Sequence, residues 1–191
     1  MTKAELRKAY LDKRKALFPQ EMVDEGAKIA DRFFSSFDLT GVKVLHTYLP
    51  IIKFHENDTI LILHRIWKEH PRIKTVVPRV DSATGELHTL LYTRETEMRE
   101  SAWGILEPVH NDAVAENEID LVIVPLLTFD LAGHRVGYGR GFYDRLLARC
   151  RPDCRKVGLS FFDPVPTIED THPADITLTA CITPSQTYEF G

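Results

Sequence analysis

The chain has 191 residues, 43% of them hydrophobic and 27% charged, which excludes a disordered or fibrous polymer and sets the expectation of one domain over residues 1–191 with its own core. A net charge of −4 supplies no global field for nucleic acid or anionic lipid, so an anionic ligand must be held by local cations. Three cysteines are too few for a disulfide framework, no apolar run approaches the roughly 18 residues of a membrane span, and the expected location is the cytoplasm.

Thr2 followed by Glu5 is a capping-box pattern, and residues 3–17 then read as an amphipathic helix. Leu6, Ala9, Tyr10 and Leu17 fall near one face, while Lys3, Arg7 and Arg14 fall near another. That basic face is either solvated or directed at an anionic ligand. Phe18-Pro19 breaks the helix, and residues 20–37 form a second one whose phenylalanines pack on a sheet. Gly41 precedes a strand over 42–48. Glu56 follows that strand, where open α/β sheets place ligands. It reads equally as a substrate contact or as an acid at the start of the helix running to about His70, which Asp58 or Thr59 can cap.

Residues 74–80 form the next strand, with Pro78 arguing for an edge or an early end. Turn chemistry at 81–86 and alternation over 87–92 predict a hairpin partner. Residues 93–118 read as irregular and charged, with Trp103 set to cover either a flat ligand or the core. After the central segment, 156–161 is a strand. An acidic loop leads to Asp175, and 176–182 is a last short strand. Strands alternating with helices predict an α/β fold: a mainly parallel central sheet flanked by helices, in a Rossmann-like three-layer arrangement.

The central segment spans 119–147. A short apolar strand over 121–124 ends at Pro125, a loop carries Asp130 and Gly133, and Gly137, Gly139 and Gly141 alternate before a helix over 142–150. Strand, glycine loop and helix start together build an anion site, because glycine lets backbone N–H groups approach and a helix N-terminus leaves donors unpaired. Arg135 and Arg140 flank the loop as phosphate partners, and Asp144 lies in the first helical turn, where a carboxylate can hold Mg²⁺. The spacing matches neither G-x-x-x-x-G-K-[ST] nor G-x-G-x-x-G. Cys150 and Cys154 lack further ligands at zinc spacing.

The string FDLAGHRVGYGRGFYDR over residues 129–145 resembles the signature of the 5-formyltetrahydrofolate cyclo-ligase family. Four further matches stand in family order: Lys3 with Arg7, Glu56-Asn57-Asp58-Thr59, Trp103-Gly104-Ile105-Leu106-Glu107-Pro108, and Asp175 with Thr183. The resemblance covers nearly the whole chain. It implies conversion of ATP and 5-formyltetrahydrofolate, with Mg²⁺, to 5,10-methenyltetrahydrofolate, ADP and phosphate. It also implies roles. Lys3, Arg7, Arg135, Gly137, Tyr138, Gly139, Arg140, Gly141, Phe142 and Tyr143 would bind ATP. Tyr138, Gly139, Arg140, Gly141 and Phe142 would also face the folate, with Glu56 and Trp103. Arg140 and Tyr143 would lie nearest the chemistry, and Asp144 and Asp175 would hold Mg²⁺. The partners implied are a reduced folate and ATP, and the chain is expected to act as a monomer. Where members of the family often carry His-Asp, this chain has Ala174-Asp175. Competing readings are a sugar-phosphate isomerase or transferase with Glu56 as base, and a binding module without turnover.

Overall fold

The computed structural model describes residues 1–81, 84–101, 105–110 and 112–191. Helix α1 (Lys3–Lys15) starts at the capping box the sequence predicts: the Glu5 N–H donates to Thr2 Oγ1 at 3.3 Å, and the Thr2 N–H to Glu5 Oε2 at 2.8 Å. Helix α2 (Pro19–Ser36) opens with proline at its first position, where a missing N–H is harmless. Strand β1 (Val44–His46) leads into α3 (Ile60–Glu69), then β2 (Lys74–Val80) and β3 (Leu87–Leu91). Two short strands, β4 (Met98–Glu100) and β5 (Leu106–Pro108), pair with each other inside the stretch read as irregular. Strand β6 (Leu121–Val124) follows, then a small ribbon of β7 (Thr128–Phe129) and β8 (Arg135–Val136) within the expected loop, helix α4 (Phe142–Arg149), β9 (Arg155–Leu159), β10 (Ala180–Ile182) and β11 (Thr187–Glu189).

Seven strands form one sheet in the order β11-β10-β9-β6-β1-β2-β3. The pairings β10–β9, β9–β6, β6–β1 and β1–β2 are parallel, while β2–β3 and β10–β11 close the edges antiparallel. All four residues of β6 are buried, as a strand covered on both faces must be. Its alternate side chains divide between two cores. Leu121 and Ile123 join Ile29, Phe33, Ile62 and Ile66 from α2 and α3. Val122 and Val124 join Leu146 and Leu147 from α4 on the opposite face. The mainly parallel, helix-flanked sheet is therefore the one the sequence predicts.

The details depart from expectation in three places. Pro78 stands inside β2, second from the edge. The Val76 carbonyl accepts from the Thr47 N–H on the β1 side, and residues two apart point the same way, so the N–H missing at Pro78 faces a place where β1 has already ended. The last strand starts at Ala180 and not at Ile176, because the Ile176 N–H and C=O bond to side chains. Strand β11 lies beyond the last strand that the sequence predicts. Its N–H and C=O groups complete the sheet edge beside β10.

Candidate active site

Strand β1 sends the chain to β2 on one side, and the later strands β6, β9 and β10 lie on the other. The crevice outside the C-terminal ends of β1 and β6 is thus the place where strand order reverses. A cleft of about 990 Å³ opens there, lined by Tyr48 and Glu56 after β1, Pro125 after β6, and residues 137–144. That volume is at the upper end for small-molecule sites.

The glycine loop is shaped by backbone requirements at two of its three glycines. Gly139 has φ +87° and Gly141 φ +65°, conformations that L side chains resist. A Cβ on Gly139 would also stand 3.3 Å from the Arg7 guanidinium. Gly137 has neither constraint. Gly141 caps α4 without a side-chain bond, so the first N–H groups of this helix have no capping side chain. Asp130, by contrast, serves the loop and not the cleft. Buried at 1% exposure, it accepts the Ala132, His134 and Ile168 N–H groups at 3.0, 3.0 and 3.1 Å and ties the ribbon to the C-terminal segment.

Helix α1 reaches this loop from outside the sheet. Leu6 and Tyr10 pack against Leu127, Val136 and Ile168. Arg7 Nε then donates to the Gly137 carbonyl at 2.9 Å, and Lys3 forms an ion pair with Asp175. Burial alone would raise the Asp175 carboxyl. Hydrogen bonds from Lys3 and the His172 N–H, with the charges of Lys3 and Arg135, bring it below its ordinary value. Arg135 lies between the two acids of interest: it pairs with Asp144 at 2.7 Å and donates to the Ile176 carbonyl, while the Ile176 N–H donates to Asp144 at 3.2 Å. His172 holds its own turn, its Nδ1 accepting the Ala174 N–H at 3.1 Å. Arg140 is exposed at the cleft rim.

Among the described residues no three His, Cys, Asp or Glu side chains are grouped to hold a metal. Asp144 and Asp175 are two carboxylates on neighbouring backbone, each beside a cation. Such a donor set suits Mg²⁺, which takes one or two carboxylates and fills its octahedron with phosphate and water oxygens. It does not suit a metal that needs a complete protein cage.

The other end of the cleft is organised around Glu56. It does not bond the start of α3, whose N-cap is Thr59; Asp58 there accepts the Ile60 N–H at 3.0 Å. Glu56 folds back to accept the Ile51 N–H at 2.7 Å and the Tyr138 hydroxyl at 2.5 Å, and is 7% exposed. Burial pushes its carboxyl above the ordinary range, against the Tyr138 and Ile51 hydrogen bonds. Tyr138 gives its hydroxyl to Glu56 and stacks its ring on Phe54, centroids 5.0 Å apart. Tyr143 points inward; its hydroxyl is buried without a partner among the described residues, and its ring meets His46 edge-on at 5.7 Å. Apolar Pro78, Val80, Leu87 and Leu106 continue the wall toward a second buried carboxylate, Glu107, which accepts the Val80 N–H at 3.4 Å.

Lys3, Arg7, Glu56, Arg135, Gly137, Tyr138, Gly139, Arg140, Gly141, Phe142, Tyr143, Asp144 and Asp175 thus line one cleft. Trp103 lies outside the described residues. Arg14, which helical spacing puts on the basic face with Lys3 and Arg7, is buried. The signal was present: Leu6, Tyr10 and Arg14 stand four residues apart, on one stripe of the helix.

Comparisons with known proteins agree over most of the length. The model of the 5-formyltetrahydrofolate cyclo-ligase family matches residues 1–172. The 5-formyltetrahydrofolate cyclo-ligase of Escherichia coli K12 is 30% identical, covering 93% of this chain and 98% of its own. The structure is similar to that of the 5,10-methenyltetrahydrofolate synthetase of Aquifex aeolicus, with TM-score 0.81, 29% identity, and coverage of 99% and 93% of the two chains. The Mycoplasma pneumoniae 5,10-methenyltetrahydrofolate synthetase superposes with TM-score 0.75 at 26% identity, covering 96% and 99%.

Proposed function

The chain belongs to the 5-formyltetrahydrofolate cyclo-ligase family, and from that premise we propose that it closes 5-formyltetrahydrofolate to 5,10-methenyltetrahydrofolate, with ATP as co-substrate and Mg²⁺ as bound cation. The observation that carries the reading is the polarity of the cleft. One end gathers Lys3, Arg7 and Arg135 with two carboxylates, while the other presents buried Glu56 among aromatic and apolar side chains. Triphosphate and a flat, partly apolar folate call for those two environments.

A formamide is a poor electrophile, so its oxygen must be made into a leaving group. The γ-phosphoryl passes to the formyl oxygen, giving an imidate phosphate and ADP. N10 attacks the activated carbon and gives up its proton to water, the ring closes, and phosphate departs with the C–O bond pair. Such chemistry needs positioning and charge neutralisation more than covalent help. Arg7 and the N–H groups at the start of α4 hold phosphate oxygens, Arg140 covers the transferring group from the rim, and Tyr143 borders the formyl group. Glu56 orients the pterin portion through its N–H donors. Asp144 and Asp175 would hold Mg²⁺, which when bound neutralises phosphate charge.

The experiment is direct. Purified protein with 5-formyltetrahydrofolate, ATP and Mg²⁺ should produce the near-ultraviolet absorbance of the methenyl product, and omission of ATP or chelation of Mg²⁺ should abolish it. Folded protein that yields no such rise would refute the activity.

A further inference from the structure

Arg14 is 2% exposed, and a buried guanidinium is costly unless its N–H groups find acceptors. Among the described residues no carboxylate forms an ion pair with it. Its NH2 donates to the Leu126 carbonyl and its NH1 to the Tyr138 hydroxyl at 3.0 Å, while its Nε has no partner among the described residues. The Arg14 carbonyl meets His55 Nδ1 at 3.0 Å, which joins α1 to the loop carrying Glu56.

The direction of this chain is fixed by chemistry. A guanidinium only donates, so the Tyr138 oxygen accepts from Arg14 and its own proton must point elsewhere. Glu56 Oε1 stands 2.5 Å away and takes it. The second oxygen, Oε2, is pinned by the Ile51 N–H. We infer that Arg14 is a positioning residue for folate binding: acting through Tyr138, it fixes the hydroxyl as a donor and aims Glu56 at the paired N–H donors of the pterin ring. The inference rests on the reading that Glu56 binds the folate. A lysine keeps the charge but places its donors on one nitrogen, so it loses the planar fork by which NH1 and NH2 reach Tyr138 and Leu126 separately.

The groups facing Glu56 are Tyr138, Arg14 and the phenols of Tyr48 and Tyr143, with His55 behind Arg14. Burial raises the carboxyl, and the Arg14 charge counters it. Loss of Arg14 should therefore move the acid limb of the pH profile to higher pH.

The test compares Arg14→Met and Arg14→Lys, each alone and with Tyr138→Phe, by KM for both substrates and the pH profile of kcat/KM for 5-formyltetrahydrofolate. Arg14→Met should raise the folate KM about tenfold while the ATP KM stays within about twofold, and shift the acid limb upward. Arg14→Lys should keep the limb but not the KM. In the Tyr138→Phe background, Arg14→Met should add less than about a twofold further change, since the relay is already cut. Equal rises in both KM values with an unmoved acid limb would make Arg14 merely structural and overturn the inference. Should Arg14→Met fail to fold, Arg14→Lys decides by the same KM split. Glu56→Gln separates the two readings: an unchanged folate KM there refutes the role of Glu56, whereas a raised KM beside wild-type values in the Arg14 variants refutes only the relay.

Discussion

At Glu56 a carboxylate is held 7% exposed at the mouth of β1, against its own solvation. Glu56→Gln keeps the shape and removes the charge. It should lower kcat/KM for the folate by about a hundredfold, since a site built around one hydrogen-bonding group discriminates strongly, while the melting temperature holds or rises because a buried charge has been removed. Steady-state kinetics and thermal melting check both. Its carboxyl is raised on folding, so its contribution to stability is present below the unfolded value of 4.5 and is lost as pH rises through the folded value. His46 behaves oppositely. Burial, with both ring nitrogens unpartnered among the described residues, lowers it from 6.5 to about 3. The unfolded chain then binds a proton that the native chain refuses, and stability falls as pH drops below 6.5. His46→Leu should flatten that slope by up to about 1.4 kcal/mol per pH unit between pH 6 and 4 (roughly one proton). Urea unfolding across that range measures it; parallel slopes for the two proteins would contradict the assignment.

The glycine loop and α4 form one element pair whose geometry separates three glycines that look alike in sequence. Gly139→Ala forces an L side chain to φ +87° against Arg7 and should cost about 1–2 kcal/mol, with a further loss of ATP affinity. Gly141→Ala carries similar strain at φ +65°, which Asn would relieve in part. Gly137→Ala meets nothing within 4 Å and should be near neutral in stability. Denaturant unfolding of the three alanine variants gives the order directly, and equal costs would mean the loop is not held as described. The alternation was readable in the sequence, but not which members need glycine. That depends on φ angles and on Arg7, which arrives from a helix some 130 residues away in the chain. The hairpin of β2 and β3 was legible because alternation and turn residues are local signals. The short β4–β5 and β7–β8 pairs were not, since strands of two or three residues have too little pattern to stand out.

For the whole molecule, a net charge of −4 coexists with a cleft that concentrates Lys3, Arg7, Arg135 and Arg140. Nucleotide should therefore stabilise the fold by mass action. At a free ATP concentration one hundred times its Kd with Mg²⁺, the gain is about 2.7 kcal/mol, or about 5–10 °C in melting temperature for a chain of this size. The shift should shrink when Mg²⁺ is chelated. Scanning calorimetry reads both, and an unchanged melting temperature would divorce these cations from the nucleotide. The α/β class, the parallel sheet, the capping box and the glycine signature were all legible in the chain, because each depends on residues near one another in sequence: periodicity, punctuation and a contiguous motif. Which acid bonds the start of α3 and which faces the cleft, why Asp130 is structural, and why Arg14 lies buried beside Tyr138 depended on side chains meeting across long stretches of chain. Burial and hydrogen-bond pairing arise only when those stretches pack. The glycine loop could thus be found from its own residues, whereas the partners that make it one end of a two-ended cleft were chosen by the fold.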